Sequence, residues 1–284
     1  MHDDGLHDRG LAFDLATLRS RALNPRLERR GALRVLAGAG AGLVLVACGA
    51  DAKTATSSST STTSTTASGA APTVAGATGV AIPDETAGPF PGDGSNGPNV
   101  LTQSGIVRRD IRSSFGTLSG RAEGVPLSVD LTVVSASDGK PMAGAALYLW
   151  HCDRGGGYSL YSSGVANQNY LRGVQEAGSD GQLSFTTVFP AAYSGRWPHI
   201  HFEVYPSLTE ATSAGSRLVT SQLALPKDAC DRVFATTGYE QSIANLAGSS
   251  LDTDMVFRDG YDTQLASVSG AVSAGLSASL VVPV

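Results

Sequence analysis

This sequence of 284 residues has little charge, few histidines and no visible internal repeat. Charged residues make up only 16% of it, and the net charge of −5 offers no basic surface for nucleic acid. Glycine is abundant, with 34 residues, and serine and threonine are frequent, which favours a β-rich and turn-rich body. The length suits one domain with appendages, or two small domains.

The N-terminal part lacks an apolar run long enough to span a membrane. Arg29 and Arg30 precede the apolar stretch Val35 to Ala47, whose length is typical of a signal peptide. A Leu-Val-Ala-Cys segment that ends at Cys48 resembles a bacterial lipobox. We therefore expect residues 1–47 to be a Tat-like lipoprotein signal peptide with Cys48 as the lipid anchor. The alternative is a buried helix with a structural cysteine.

A run of nearly pure Ser, Thr and Ala follows, from Thr54 to Gly69. It has too few apolar side chains to offset the entropy lost on ordering, so residues 48–82 should be a disordered linker. Together these features predict an exported protein, anchored by lipid to the bacterial membrane surface. Its folded domain, residues 83–284, would touch the membrane through that anchor only.

The folded part shows short apolar runs separated by turns. Alternation along Leu127 to Ser135 and along His199 to Tyr205 is typical of strands with one buried face. Turn signals stand at Asp138-Gly139 and Asp180-Gly181. Further strands are expected at Ala145–Trp150, Leu183–Phe189, Leu218–Leu225 and Leu276–Val282, and partial helix only at Cys230–Leu246. This pattern predicts an all-β fold: a β-sandwich core with covering loops and little helix.

Two of the five histidines, His199 and His201, lie two residues apart on an expected strand. Side chains at that spacing point to one face, so the pair is either half of a metal site or a polar outer face. If the alternate residues fill the core, the histidines point away from it and need covering loops. Tyr158 and Tyr193 lie in loops that could provide this cover.

Several motifs that are weak alone occur in a specific order. They are Asp84–Phe90, Leu149–Asp153 with Gly157–Ser159, Tyr170–Gly173, Asp180-Gly181 with Phe185–Thr187, Phe189–Tyr193, and Gly195–Phe202. Taken together, they resemble the intradiol ring-cleavage dioxygenases, the family of protocatechuate 3,4-dioxygenase and catechol 1,2-dioxygenase. The resemblance extends roughly from Asp84 to Leu225, most of the expected folded domain.

The resemblance implies a mononuclear non-haem Fe(III) cofactor, with Tyr158, Tyr193, His199 and His201 as its ligands. Phenolates suit a hard trivalent cation, and imidazoles complete the ligand set as neutral donors. The implied reaction is cleavage of a small aromatic diol by O2, which gives a cis,cis-muconate-type diacid.

The resemblance also assigns roles around the metal. Tyr193 would leave the iron and act as a base, Arg196 would stabilise negative charge on the catecholate, and Gln222 matches the family's glutamine near the metal. Thr86, Gly88, Pro89 and Arg196 would contact the substrate. Two departures from the family pattern are Ala191-Ala192 before Tyr193 and an inserted loop at residues 207–216, which puts Gln222 in doubt.

Three further residue types leave alternatives open. Cys152 and Cys230 could form one disulfide in an oxidising compartment, or remain two buried thiols. His151 matches no ligand position and should be a supporting or hydrogen-bonded core histidine. A carboxylate on the substrate ring would need a cation, and Arg108, Arg109, Arg112 and Arg172 are available, although nothing ties them to the site.

Two other classes of protein fit part of the pattern. A tethered β-sandwich binding lipoprotein without catalysis would explain the linker, the anchor and the fold. A zinc metallohydrolase could use His199, His201 and a carboxylate such as Glu203 or Asp153. Iron, zinc or no metal in the purified protein would distinguish the three classes.

Overall fold

The computed structural model describes residues 79–284. The expected signal peptide, Cys48 and most of the expected linker lie outside the described residues. The strands are β1 Pro126–Val134, β2 Ala146–Trp150, β3 Arg172–Glu176, β4 Gln182–Val188, β5 His199–Tyr205, β6 Val219–Ala224, β7 Ser267–Ala271 and β8 Gly275–Pro283. The helices are α1 Leu208–Thr212, α2 Lys227–Phe234 and α3 Glu240–Ala247. None of the described helices is long and apolar enough to cross a membrane.

The strands form two four-stranded sheets, in the orders β4-β1-β8-β7 and β3-β2-β5-β6. Strands β1 and β8 run parallel, and the other neighbouring pairs are antiparallel. Apolar side chains from both sheets, such as Val129 and Leu131 of β1 with Leu149 of β2 and Phe202 of β5, share one buried cluster. This confirms the predicted β-sandwich, with short helices as the only helical structure in the described chain.

The second sheet is covered on its outer face as well. A second buried cluster joins Val100, Leu101 and Ile106 from the irregular segment 79–125 to Tyr148 and Trp150 of β2. As a result all seven residues of β5 are buried, although alternate residues face opposite sides. The covering layer that the two histidines require is therefore present.

Three elements were not predicted from the sequence. Strand β3 begins with the buried Arg172, and β7 is an exposed edge strand of Ser, Val, Gly and Ala, so neither has an apolar alternation. Helix α1 lies within the inserted loop and is capped by the Ser207 side chain, which accepts from the Glu210 backbone N–H at 3.2 Å.

The possible disulfide between Cys152 and Cys230 is not formed. Cys152 and Cys230 are both buried free thiols. Cys152 belongs to the cluster on the covered outer face of the second sheet, whereas Cys230, on α2, belongs to the core between the sheets. The two thiols pack in different apolar clusters, so of the two alternatives that the sequence left open the structure has the two buried thiols.

Candidate metal centre

Strand β5 brings the two histidines of the His-x-His motif side by side. His199 and His201 are 2% and 3% exposed, and their Nε2 atoms lie 3.1 Å apart. On the neighbouring strands, Trp150 of β2 and Gln222 of β6 both stand opposite His201. The Trp150 ring stacks on the His201 ring with centroids 5.0 Å apart, which fixes the orientation of that imidazole.

The first tyrosine loop places Tyr158 against the histidines. Asp153 Oδ1 accepts from the backbone N–H groups of Gly155 and Gly157, both at 2.9 Å, and so shapes the loop. The Tyr158 backbone N–H donates to Ser162 Oγ at 2.9 Å. As a result the Tyr158 ring lies edge-on to His201, with ring centroids 6.2 Å apart.

The second tyrosine loop completes the group. Tyr193 Oη lies 3.1 Å from His199 Nε2, and the Tyr193 ring is 6.1 Å from the Tyr158 ring, centroid to centroid. The four residues that the resemblance named as ligands, Tyr158, Tyr193, His199 and His201, therefore converge on one point of the covered face.

The protonation states of the imidazoles suit metal ligands. Burial, assisted by the charge of Arg196, lowers the pKa of His199 to about 3. Burial and the neighbouring His199 also lower the pKa of His201 well below its usual value. The Nδ1–H of His199 donates to the Trp197 carbonyl oxygen at 2.5 Å, so its Nε2 carries a lone pair that points at the centre.

A polar atom without a partner marks the same point. Within residues 79–284, the buried Tyr158 Oη has no hydrogen-bond partner. Burial raises the pKa of Tyr158, so its phenol stays neutral unless a cation binds it. A buried hydroxyl with no partner costs free energy, and a metal ion would remove that cost. Two phenolic oxygens and two imidazole nitrogens fit a ferric ion.

The zinc alternative does not fit the arrangement. In the part of the chain that the structure describes, no group of three or more His, Cys, Asp and Glu side chains could hold a metal. Glu203 Oε2 accepts from Tyr205 Oη at 2.7 Å, and Asp153 is occupied by its own loop. The groups that lie beside the two histidines are therefore phenols and not a carboxylate.

The other residues predicted at the site form a connected group. The buried Arg196 donates through Nη2 to Gln222 Oε1 at 2.7 Å, and Gln222 Nε2 donates to the Thr86 carbonyl oxygen at 2.9 Å. Thr86 Oγ1 accepts from the Gly88 backbone N–H at 3.0 Å. The carbonyl oxygen of Pro89 accepts from Asn96 on the exposed side of the segment instead.

His151 is a hydrogen-bonded core histidine, one of the two roles expected for it. Its Nδ1–H donates to the Cys152 carbonyl oxygen and its Nε2 accepts from Thr187 Oγ1, both at 2.7 Å. It is 1% exposed and contributes no ligand atom to the centre.

Three of the four arginines considered for a substrate carboxylate are engaged elsewhere. Arg172 is buried and donates to the Pro91 and Phe90 carbonyl oxygens at 2.7 and 2.9 Å, and to Ser159 Oγ at 3.0 Å. It therefore ties the segment before the sandwich to the loop of Tyr158. Arg108 donates to the Arg172 carbonyl oxygen, and the half-buried Arg112 pairs with Asp110.

Sequence reasoning missed Asp254. Its Oδ2 accepts from Arg196 Nε at 2.9 Å, in an ion pair whose side chains are 1% and 0% exposed. The aspartate follows Arg196 by 58 residues, and no motif or spacing around it signals the contact.

Comparisons with known proteins agree with this geometry. A family described as Dioxygenase matches residues 97–230, which include Tyr158, Tyr193, His199 and His201. Catechol 1,2-dioxygenase 1 of Acinetobacter lwoffii is 39% identical over 69 residues, 24% of this chain and 22% of that protein. Chlorocatechol 1,2-dioxygenase of Rhodococcus opacus is 27% identical over 107 residues, 35% of this chain and 42% of that protein. The chain thus covers less than half the length of these curated relatives.

The fold is also found among solved structures. An intradiol ring-cleavage dioxygenase from Tetranychus urticae superposes with a TM-score of 0.53 at 22% identity, covering 64% of this chain and 87% of that one. The described chain therefore has the β-sandwich fold of the intradiol dioxygenases, and the sequence comparisons support that family.

Proposed function

We propose that this protein is a non-haem Fe(III)-dependent intradiol dioxygenase. It cleaves a catechol-type aromatic between the two hydroxylated carbons and gives a cis,cis-muconate-type diacid. The observation that carries the proposal is the convergence of two phenols and two neutral imidazoles at one buried point, with an unpartnered Tyr158 hydroxyl among them. The names of the curated relatives, which act on catechol and chlorocatechol, support the substrate class.

A bound ferric ion would supply the chemistry that makes the ring of the diol reactive towards O2. Tyr158, Tyr193, His199 and His201 are the residues that would hold it. The two phenolates supply negative charge that favours the ferric state, and the two imidazoles remain neutral because burial lowers their pKa.

Two residues of the chain act on the proton of the diol and on the negative charge that develops during the reaction. Tyr193 is less buried than Tyr158, and its Oη takes a proton from the diol. The guanidinium of Arg196 lies beside His199 and stabilises the negative charge that develops on the ring and its oxygens. Both histidines and Tyr158 are nearly inaccessible to solvent, so the reacting ring is held away from bulk water.

The ligand assignment is tested by oxygen uptake with catechol and by colour. The iron-loaded full chain should absorb visible light through its ferric phenolates. We expect Tyr158→Phe and His201→Ala to lower kcat at least ~100-fold, because each removes a ligand. Tyr261→Phe, which changes a tyrosine outside the centre, serves as the matched control. Full activity in both ligand variants, or a colourless protein that binds no iron, would reject the function.

We also propose that the enzyme acts outside the cytoplasm, attached to the membrane surface through Cys48. Support comes from the sequence alone: the arginine pair, the apolar stretch, the lipobox-like segment and the Ser/Thr-rich linker. Such an enzyme would meet aromatics before they enter the cell.

A further inference from the structure

The buried ion pair of Arg196 and Asp254 is held from many directions. Arg196 Nε and Nη2 lie 2.9 and 3.4 Å from the two carboxylate oxygens of Asp254. The same carboxylate accepts from the backbone N–H groups of Trp197 at 2.7 Å and of Val256 at 2.8 Å. A buried charge with this many donors has a fixed position, because any movement breaks several hydrogen bonds at once.

The ion pair is one end of a hydrogen-bonded chain that passes the metal centre. Arg196 donates hydrogen bonds to Asp254 and to Gln222, and Gln222 donates one to the Thr86 carbonyl oxygen. Gln222 stands directly opposite His201 in the register of β5 and β6. A displacement of Asp254 would therefore be transmitted through Arg196 and Gln222 to the segment of Thr86, which the family resemblance places at the substrate.

The part of the chain around Asp254 also supports the Tyr193 loop. Ser242 Oγ of α3 accepts from the Ala192 backbone N–H at 3.1 Å, and Asn245 Nδ2 donates to the Ala192 carbonyl oxygen at 2.9 Å. Ser249 Oγ donates to the Arg196 carbonyl oxygen at 3.3 Å. Residues 242–254 lie beyond the family match at 97–230, so this support is a property of the present chain that the comparison does not cover.

Electrostatics favour an ionised Asp254. Burial alone would raise the pKa of this carboxyl, but the charge and the hydrogen bond of Arg196 outweigh it and lower the pKa. The guanidinium is thus neutralised on its Nε side, and Nη2 is directed to Gln222. Without the carboxylate, the guanidinium would be free to turn away from this direction.

We propose that Asp254 is a positioning residue that fixes the direction and the charge of Arg196 beside the diol-binding centre. The inference rests on the proposed function and adds a residue to it. Asp254 does not touch the substrate, and its effect on turnover passes through Arg196. Since a guanidinium that is correctly placed stabilises charge that develops during the reaction, loss of Asp254 should lower kcat more than it raises KM.

The test is a double-mutant cycle in the iron-loaded full chain, with Arg196→Gln, Asp254→Asn and both together. Oxygen uptake with catechol gives kcat and KM, and the visible spectrum under anaerobic conditions gives the Kd for catechol. We expect Asp254→Asn to lower kcat about 10- to 100-fold, because misplaced catalytic groups cost this much. In the Arg196→Gln background the same change should have no further effect. Additive losses of kcat would overturn the inference.

Two further variants keep the test decisive. Asp254→Glu retains the charge and should recover part of the lost kcat, whereas a purely structural role would give no such rescue. Should Asp254→Asn alone fail to fold, the double variant, which leaves no buried charge unpaired, is compared with Arg196→Gln, and equal kcat values support the inference. Asp110→Asn, which breaks the exposed pair with Arg112, should leave kcat unchanged.

Failure of the proposed function gives a different result. Wild-type protein that binds iron and catechol without consuming oxygen would reject the function. The Kd for catechol would then decide the inference. A weaker Kd in Asp254→Asn than in wild type, with no further change in the Arg196→Gln background, supports it. An unchanged Kd in Asp254→Asn overturns it.

Discussion

At the scale of single residues, the burial of His151 should make the stability of the folded chain depend on pH. Both of its ring nitrogens are hydrogen-bonded, and burial lowers its pKa to about 4 from the usual value of 6.5. Between these two pH values the unfolded chain binds a proton at this site and the folded chain does not. The free energy of unfolding should therefore fall as the pH is lowered from 6.5 towards 4.

His151→Gln removes this titration. At pH 5 the wild-type histidine should cost about 2 kcal/mol of stability relative to pH 7, by proton linkage at this one site. His199 and His201 titrate in both proteins, so the difference between wild type and variant isolates His151. Urea unfolding at pH 7 and pH 5, with both proteins in the same state of iron loading, measures it. An equal loss of stability in the two proteins would show that His151 is protonated in the folded chain.

At the scale of elements, the turn before β4 depends on a glycine. Gly181 has φ +75°, and a Cβ built at this position would lie 2.4 Å from the Val133 carbonyl oxygen. The glycine is also hydrogen-bonded to β1, since its carbonyl oxygen accepts from the Val133 backbone N–H at 2.9 Å. The Asp180-Gly181 turn signal in the sequence thus marks a place where β1 and the turn approach each other closely.

Gly181→Ala should destabilise the domain by more than backbone strain alone. Gly116 is the matched control, since it has φ +68° and nothing within 4 Å of a built Cβ. We expect Gly116→Ala to cost about 1 kcal/mol and Gly181→Ala about 2–4 kcal/mol, because the latter adds a steric overlap with the backbone. Urea midpoints of the two variants measure the difference. Equal midpoints would mean that β1 moves aside without cost.

At the scale of the whole molecule, the proposed membrane attachment depends on one cysteine. Cys48→Ser should move the protein from the membrane fraction to the soluble fraction of the cells that produce it, because the acyl chains can no longer be attached. Cys230→Ala, which changes a buried thiol of α2, is the control and should remain with the membranes. Immunoblots of the two fractions measure the distribution. A Cys48→Ser protein that stays with the membranes would contradict the anchor.

The fold was predictable where one face of a strand is buried and apolar. Alternation predicted β1 and β5, and the run after the Asp180-Gly181 turn predicted β4, each to within one or two residues. It could not predict β3, whose first residue, Arg172, is buried because carbonyl oxygens distant in sequence accept its N–H groups. The sequence left the disulfide between Cys152 and Cys230 open for a related reason, because it carries no information on which side of a sheet each cysteine packs.

The sequence by itself determined the β-sandwich and the pairing of His199 with His201, because the period of a strand is a local property of the backbone. Through family resemblance it also named Tyr158 and Tyr193. Only the tertiary structure decided that these four groups meet, that Cys152 and Cys230 lie apart, and that Asp254 neutralises Arg196. Those facts depend on how distant segments pack over the second sheet, and packing between segments leaves no periodic signal in either of them.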